Sequence, residues 1–153
     1  MKNQAFHEQV IRDVIARMNE ENIDLYAIIT SEHADLITDF IPGVDTVGNS
    51  AYLFCRDGSR YALASKIDKH DVEISGLFPN LIVYEDYETE LVKLFRQLAP
   101  KVVALNCSET APECDGLTLG RYERFLAAMG GKLDFTVVPS DCILLPVMRA
   151  AGK

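Results

Sequence analysis

Three side chains that could bind a metal ion or exchange protons follow the most apolar segment of the sequence. His33, Asp35 and Asp39 come shortly after the run 24–30, whose near-continuous apolar character is typical of a strand buried on both faces. In open α/β sheets, ligands collect beyond the carboxyl ends of such strands. A metal site there would need further ligands from elsewhere in the chain. The alternative is a loop histidine that hydrogen-bonds to a neighbouring carboxylate.

The loop 41–50 is the second candidate site. It is polar, contains two glycines that permit movement, and is long for a connection to a hairpin. Such loops are often functional. We predict that it forms a contact surface, with Asp45 and Asn49 as polar contacts and Phe40 as an apolar wall. The alternative is an ordinary flexible excursion in which Phe40 fills the core below.

The cysteines do not have the surroundings of a reactive thiol. Cys107 and Cys114 lie in a loop with three acidic residues, whereas a low thiol pKa requires a cationic neighbour or a helix N-terminus. We therefore predict raised pKa values and structural or incidental roles. The sequence has four cysteines and no CxxC pair, which predicts free, reduced thiols.

Several common catalytic motifs are absent from the sequence. It contains no phosphate-binding GxxxxGK[ST], no GxGxxG, no HExxH and no GxSxG. The other histidines give no grouping, because we expect His7 on the polar side of the first helix and His70 on a solvated helix face.

Length and charge narrow the class of protein. The 153 residues suit one domain, predicted to span 1–153, and the net charge of −8 argues against nucleic acid or an anionic membrane as partner. No apolar run approaches the ~18 residues that cross a bilayer, and no signal peptide is visible. We expect a cytoplasmic protein.

Periodicity and capping residues predict the elements that position these side chains. An amphipathic helix runs from 4 to about 21, with Asn22 as C-cap, and the Asp-Gly turn at 57–58 predicts a hairpin over 51–65. Asp86 and Thr118 are predicted N-caps of two further helices. The remaining predicted strands are 81–84, 102–105 and 135–138.

Two segments are less regular. Segment 66–77 has a weak helical period that would turn Ile67, Val72 and Ile74 inward, and Leu119 is assigned to the inner face of its helix. Residues 140–153 are predicted as a tail interrupted by Pro146. The fold class is α/β: a three-layer α/β/α arrangement with a mixed, about six-stranded sheet containing one antiparallel hairpin.

Short motifs in this order resemble a known family. Segment 22–31 is similar to "gIDaliits", 36–40 to "YLTGF" and the closing 147–153 to "lRaiKs". Over essentially its whole length the chain resembles the N-terminal domain of the creatinase/prolidase/aminopeptidase P family. It departs from the family pattern at Leu36, Asp39 and Gly152, where Tyr, Gly and Lys are usual, and at His33, where Asn is common.

The resemblance implies a role without catalysis for this chain. In such families the catalytic C-terminal domain carries two Asp, a His and two Glu that bind two divalent metal ions (Mn, Co or Zn). That domain would begin after Lys153, so we expect an isolated N-terminal domain with no catalytic residue, metal ligand or cofactor of its own. The parent would be a Xaa-Pro dipeptidase-like metallopeptidase, a hydrolase.

The family also implies partners. Its N-terminal domains make subunit contacts, so a homodimer is expected, and their loops close over a neighbouring subunit's active site. The substrate-proximal or partner-contact residues would be His33, Asp39, Phe40, Asp45 and Asn49.

Two alternatives remain open at this point. One is a stand-alone ligand-binding or protein-interaction module of the same fold, as in histone-chaperone relatives of the family. The other is the N-terminal domain of a creatinase-like amidinohydrolase. The reading frame downstream of Lys153 separates them, because a metal-binding domain supports an enzyme parent and a stop codon supports the module.

Overall fold

A computed structural model describes residues 4–32 and 34–152 of the chain. The strands are β1 (Leu25–Ser31), β2 (Asn49–Cys55), β3 (Arg60–Ala64), β4 (Asn80–Val83), β5 (Val102–Leu105) and β6 (Thr136–Pro139). The helices are α1 (Gln4–Glu20), α2 (Lys69–Ser75), α3 (Tyr87–Leu98), α4 (Leu119–Ala128) and α5 (Asp141–Ala151). Two short 3₁₀ helices lie at Leu36–Asp39 and Pro112–Cys114.

The six strands form one sheet in the order β4-β3-β2-β1-β5-β6. Strand β2 is antiparallel to both of its neighbours, and the other pairs are parallel. The predicted mixed, six-stranded sheet with its hairpin is therefore confirmed, and the β1–β2 pair adds a second antiparallel contact. Five strands end at one edge of the sheet and β2 begins there. We call this the carboxyl edge.

Strand β1 lies in the interior of the sheet and is buried on both faces, as its composition predicts. Tyr26 and Ile28 face a core shared with α1, α2 and α5. Leu25, Ala27 and Ile29 face the opposite core, shared with α3 and α4. These two cores make the three-layer α/β/α architecture.

The predicted helix ends are confirmed by their hydrogen bonds. The Asp86 carboxylate accepts from Thr89 N at 3.0 Å, and Thr118 Oγ1 accepts from Arg121 N at 3.3 Å. Asn22 has a φ of 56°, the left-handed conformation that ends many helices. Within the described ranges, no helix is long and apolar enough to cross a membrane.

Three apolar side chains assigned to the interior are exposed. Ile67 is 78% exposed because it lies in the turn before α2, and Ile74 is 50% exposed because α2 buries only Val72 and Ser75. Leu119 is 72% exposed because it is the first residue of α4, six residues ahead of the buried Phe125 and not on the same face of the helix. The weak helical period of segment 66–77 was a poor guide to burial, and the inward assignment of Leu119 was wrong at the first residue of its helix.

The prediction that residues 140–153 form a tail is wrong, because residues 141–151 form helix α5 with Pro146 inside it. Proline has no N–H, so the carbonyl of Cys142 four residues earlier loses its helical donor. Arg17 of α1 replaces it, with Nε and Nη2 donating to that carbonyl at 3.3 and 3.1 Å. The helix continues because a side chain from another element satisfies the orphaned oxygen.

Candidate functional site at the carboxyl edge of the sheet

The turn after β1 is organised by the carboxylate of Asp35, which is only 2% exposed. Oδ1 accepts from Ile37 N at 3.1 Å and so caps the 3₁₀ helix, while the main-chain N–H of Asp35 donates to Thr30 Oγ1 at 3.1 Å. Oδ2 accepts from Asn106 Nδ2 at 2.7 Å. All of these contacts are internal, so Asp35 is a structural anchor of the edge.

Asn106, the residue after β5, links three strands through its side chain. Its Oδ1 accepts from Tyr26 Oη at 2.9 Å and from Ser140 Oγ at 2.7 Å. Burial raises the pKa of Asp35, and the hydrogen bonds from Asn106 and Ile37 partly oppose that rise. A buried carboxyl that is fully hydrogen-bonded fixes the ends of β1, β5 and β6 relative to one another.

The predicted His33–Asp35–Asp39 grouping is only partly visible, because His33 lies outside the described residues. Asp35 is occupied by internal hydrogen bonds and Asp39 is exposed. Among residues 4–32 and 34–152, no three His, Cys, Asp or Glu side chains are grouped to hold a metal ion. The described donors therefore do not fit the two-metal centre expected of the catalytic domain.

The loop 41–50 is anchored by hydrogen bonds. The buried carboxylate of Asp68 accepts from Val47 N and Gly48 N, both at 2.9 Å, and from Ser65 Oγ at 2.8 Å. Thr46 Oγ1 and Ser50 Oγ are 3.1 Å apart and both buried. These contacts hold the second half of the loop against α2, so its exposed side chains project from a fixed main chain.

The first half of the loop packs on His7, which is 4% exposed and not on the polar side of α1 as predicted. His7 Nδ1 donates to the carbonyl oxygen of Phe40 at 2.9 Å. Gly43 makes room for the imidazole, because a Cβ at that position would overlap the ring, and its φ of +78° also favours glycine. Helical periodicity missed this long-range contact.

The predicted contact residues fall into three separate hollows. Asp39 and Phe40 line a hollow of about 480 Å³ between the two 3₁₀ helices, and Asp45 lines one of about 540 Å³ between α1 and α2. Asn49 lines a third, of about 260 Å³, beside α3 and α4. The structure thus brings Asp39 and Phe40 together and places Asp45 and Asn49 apart from them. Phe40 is half-buried, with its ring centroid 5.9 Å from that of Phe6.

Arg121 is a residue of the carboxyl edge that sequence reasoning missed. The Thr118 cap starts α4 and places Arg121 in its first turn, from which Nη1 donates to Asn49 Oδ1 at 3.1 Å and Nη2 to Ser31 Oγ at 2.6 Å. Arg121 therefore joins the end of β1 to the start of β2. No local spacing of residues predicts these contacts, because the partners of Arg121 lie 72 and 90 residues away in sequence.

The thiol pKa values follow the direction that the sequence predicts. Burial, followed by the charges of Asp115 and Asp141, raises the pKa of Cys107, and burial raises that of Cys114 to about 11. Burial therefore raises these two pKa values more than the neighbouring acidic charges do. All four cysteines are free thiols in the structure.

Solved structures share this architecture. X-Pro aminopeptidase from Thermotoga maritima superposes with a TM-score of 0.62 at 19% identity, over 84% of this chain and 32% of its own. A proline dipeptidase from Streptococcus pneumoniae gives 0.63 at 14% identity over 92% and 96%, respectively. The N-terminal domain of Xaa-Pro dipeptidase from Lactobacillus brevis gives 0.55 at 15% identity over 84% and 89%.

The fold is that of the N-terminal domain of Xaa-Pro peptidases. The chain spans about a third of the length of the longer peptidases, such as the Thermotoga enzyme and the prolidase from Pyrococcus horikoshii. No protein-family model matches the sequence, and no curated protein matches it significantly. Identities below 20% establish a shared Xaa-Pro peptidase N-domain fold and leave function to be argued from the site.

Proposed function

We propose that this chain is the non-catalytic N-terminal domain of a metal-dependent Xaa-Pro dipeptidase- or aminopeptidase-like protein, and that it serves dimerisation and substrate gating. The observation that carries the proposal is the fold match, which includes an N-terminal domain solved on its own and covered over 89% of its length. The described residues supply no grouped metal ligands, so the two divalent ions would belong to a separate catalytic domain.

Exposed apolar side chains support a partner at the carboxyl edge. Leu36, Val47 and Ile67 are 72%, 61% and 78% exposed, and each lies in a segment that adjoins this edge. Leu119, at the start of α4, is 72% exposed at the same edge. Several large exposed apolar groups along one edge favour an interaction surface there. We propose that a second copy of the protein, in the cytoplasm, covers them in a homodimer.

The gating role is assigned to the side chains of the anchored loop and the turn before it. Because Asp68 fixes the loop's main chain, Asp45 and Asn49 would act as fixed polar contacts, and Phe40 with Asp39 as a wall beside the partner's substrate pocket. His33, outside the described residues, is proposed to lie in the same contact. Preorganised positions of this kind orient a substrate without a loop movement.

The first test asks whether the chain hydrolyses peptides alone. We expect no turnover of Xaa-Pro dipeptides by the purified chain with Mn²⁺ or Co²⁺, because the described residues contain no metal-ligand group. Activity that survives repurification would contradict the proposal.

The second test addresses dimerisation. Sedimentation velocity should detect a dimer, and Val47→Asp with Ile67→Asp should shift it to monomer, because the two charges would be buried at the interface. Ala99→Asp is the matched control, since Ala99 is exposed at the end of α3, beside the start of β5 at the opposite edge of the sheet. A dimer that survives Val47→Asp with Ile67→Asp would place the interface elsewhere, and one that the control weakens equally would show that the charges do not act at this edge.

The third test addresses gating in the protein joined to its catalytic domain. Asp45→Ala and Asn49→Ala should keep stability within about 0.5 kcal/mol, as surface changes do, while kcat/KM falls. Phe40→Ala should also lower kcat/KM and cost about 2 kcal/mol, less than a fully buried phenylalanine, because the ring is half-buried. Unchanged kinetics in all three variants would show that the loop is not a gate.

A further inference from the structure

We propose that the hollow beside α3 and α4 is a binding site for a small carboxylic acid with a short apolar body. Its carboxylate would bind Arg121, and its carbon chain would pack on Leu91 and Phe125. The hollow has a volume of about 260 Å³. Its lining consists of the polar or charged side chains of Asn49, Tyr87, Glu88, Arg121 and Arg124 and of apolar residues of β1, α3 and α4. This inference goes beyond the proposed gating function and concerns the opposite face of the sheet from the Asp39–Phe40 and Asp45 hollows.

The charge of Arg121 is the first argument. Its two recorded hydrogen bonds go to neutral oxygens, of Asn49 and Ser31, and its buried Nε has no acceptor. Among the residues that the structure describes, no carboxylate lies within ion-pair distance of Arg121. Because Nε is out of reach of solvent, a ligand in the hollow would bind the second N–H groups of Nη1 and Nη2. These two donors match the planar, two-oxygen geometry of a carboxylate.

The neighbouring arginine in this hollow, unlike Arg121, is paired with a carboxylate. Arg124, one turn further along α4, donates from Nε to Glu88 Oε2 at 2.8 Å. Glu88 is thereby paired with Arg124, and the hollow retains the positive charge of Arg121. In a chain with a net charge of −8, a lining with excess positive charge favours an anionic ligand.

Size and lining define the ligand further. The volume lies below the roughly 300–1,000 Å³ of sites for drug-sized ligands, so only a small molecule or the end of a larger one fits. Ile29, Leu91 and Phe125 supply apolar walls that a bare inorganic anion would not use. A short aliphatic carboxylate uses both the cation and these walls. Such a group could be a free acid or the carboxyl end of a peptide.

The test is a two-dimensional NMR titration of the isotope-labelled chain. Butyrate represents a free acid and N-acetylvaline a peptide's carboxyl end, while butyramide keeps the shape without the charge and inorganic phosphate keeps charge without the apolar body. We expect saturable shifts around Arg121 and Asn49 with butyrate or N-acetylvaline, at least about tenfold weaker binding of butyramide, and weaker binding of phosphate. The acid that binds more tightly identifies the source.

Variants locate the ligand. Arg121→Gln should weaken binding at least about tenfold, because a charge-assisted hydrogen bond is lost. Arg12→Gln removes the same charge from the exposed face of α1 and should leave binding unchanged. Ala128→Phe, at the end of α4, should block binding by filling the hollow while Arg121 remains in place.

Three outcomes would overturn the proposal. They are binding of butyramide as tight as that of butyrate, binding of butyrate by Arg121→Gln as tight as that by the wild type, and the absence of a saturable shift with either acid. A loss of affinity counts as support only in a variant whose spectrum remains that of the folded protein. Because this experiment needs neither a catalytic domain nor a dimer, its result is independent of the proposed gating function.

Discussion

Asn106 Nδ2 donates a 2.7 Å hydrogen bond to the carboxylate of Asp35, and both residues are at most 2% exposed. This pair joins the turn after β1 to the end of β5, and through Asn106 Oδ1 it also holds Tyr26 and Ser140. The candidate contact residues Asp39 and Phe40 follow directly in the chain. Their positions therefore depend on a buried polar network that they do not themselves join.

The first prediction is that Asn106→Ala destabilises the protein by about 3 kcal/mol. The substitution removes three side-chain hydrogen bonds and leaves the buried Asp35 Oδ2 without its donor. Chemical denaturation at neutral pH measures the change. Asn80→Ala is the control, because Asn80 is exposed and its side chain donates one recorded hydrogen bond, to Arg60 O. An equal loss in both variants would contradict a special role for the network.

The second prediction concerns the close approach of Gly116 to Asp35. A Cβ at this position would overlap the Asp35 carboxylate, so Gly116→Ala should cost about 2 kcal/mol or more by forcing the network apart. At Gly120, in α4, an added Cβ meets no heavy atom within 4 Å, so Gly120→Ala should be neutral or stabilising by up to about 1 kcal/mol. Thermal denaturation of both variants shows whether the signs are opposite.

The third prediction is a pH dependence carried by Glu8. The paired hydrogen bonds from Arg60, at 2.7 and 2.6 Å, lower the pKa of Glu8 from 4.5 to about 2. A carboxyl whose pKa is lowered by folding stabilises the protein above its unfolded pKa. That contribution is lost as the pH falls from about 4.5 to about 2.

Glu8→Gln should therefore be less stable than the wild type at pH 7, and the difference should disappear near pH 2. A shift of this size corresponds to about 3 kcal/mol, which partial exposure of the ion pair reduces to about 1–2 kcal/mol. Unfolding free energies over this pH range provide the measurement. Glu123→Gln, an exposed change on α4, is the control. The same pH-dependent loss of stability in both variants would contradict the assignment to the Glu8–Arg60 pair.

Elements with a strong local signal were predicted correctly from the sequence. The apolar run of β1, the Asp-Gly hairpin and the caps at Asp86 and Thr118 each reflect interactions within a few residues. The order of these elements also leads to the correct three-layer architecture, because connections between neighbouring strands are short.

The candidate site was less predictable because its contacts join distant residues. Asp35 and Asn106 are 71 residues apart, and Arg121 and Ser31 are 90 apart. His7 is polar and was assigned to the polar face of α1. Its burial is explained by the packing of Gly43 against its ring. Neither periodicity nor motif spacing contains this information.

Helix α5 shows the same limit in a form that can be tested. Pro146 was a sound reason to end a helix, since its ring removes the donor to Cys142 O, but Arg17 supplies a replacement from α1. The fourth prediction is that Arg17→Ala costs about 1–2 kcal/mol in the wild type, because this carbonyl then loses its charged donor. Arg17 also pairs with Glu20 and Glu21, so the single variant alone does not isolate the contact.

A double-mutant cycle with Pro146→Ala isolates it. An alanine at 146 restores an N–H that can donate to Cys142 O, so Arg17→Ala should cost less in that background, by about 0.5–1.5 kcal/mol. The ion pairs with Glu20 and Glu21 are the same in both backgrounds and cancel in the cycle. Free energies of unfolding for the four proteins give the coupling. If Arg17→Ala costs the same with proline and with alanine at 146, the side chain does not replace the missing helical donor.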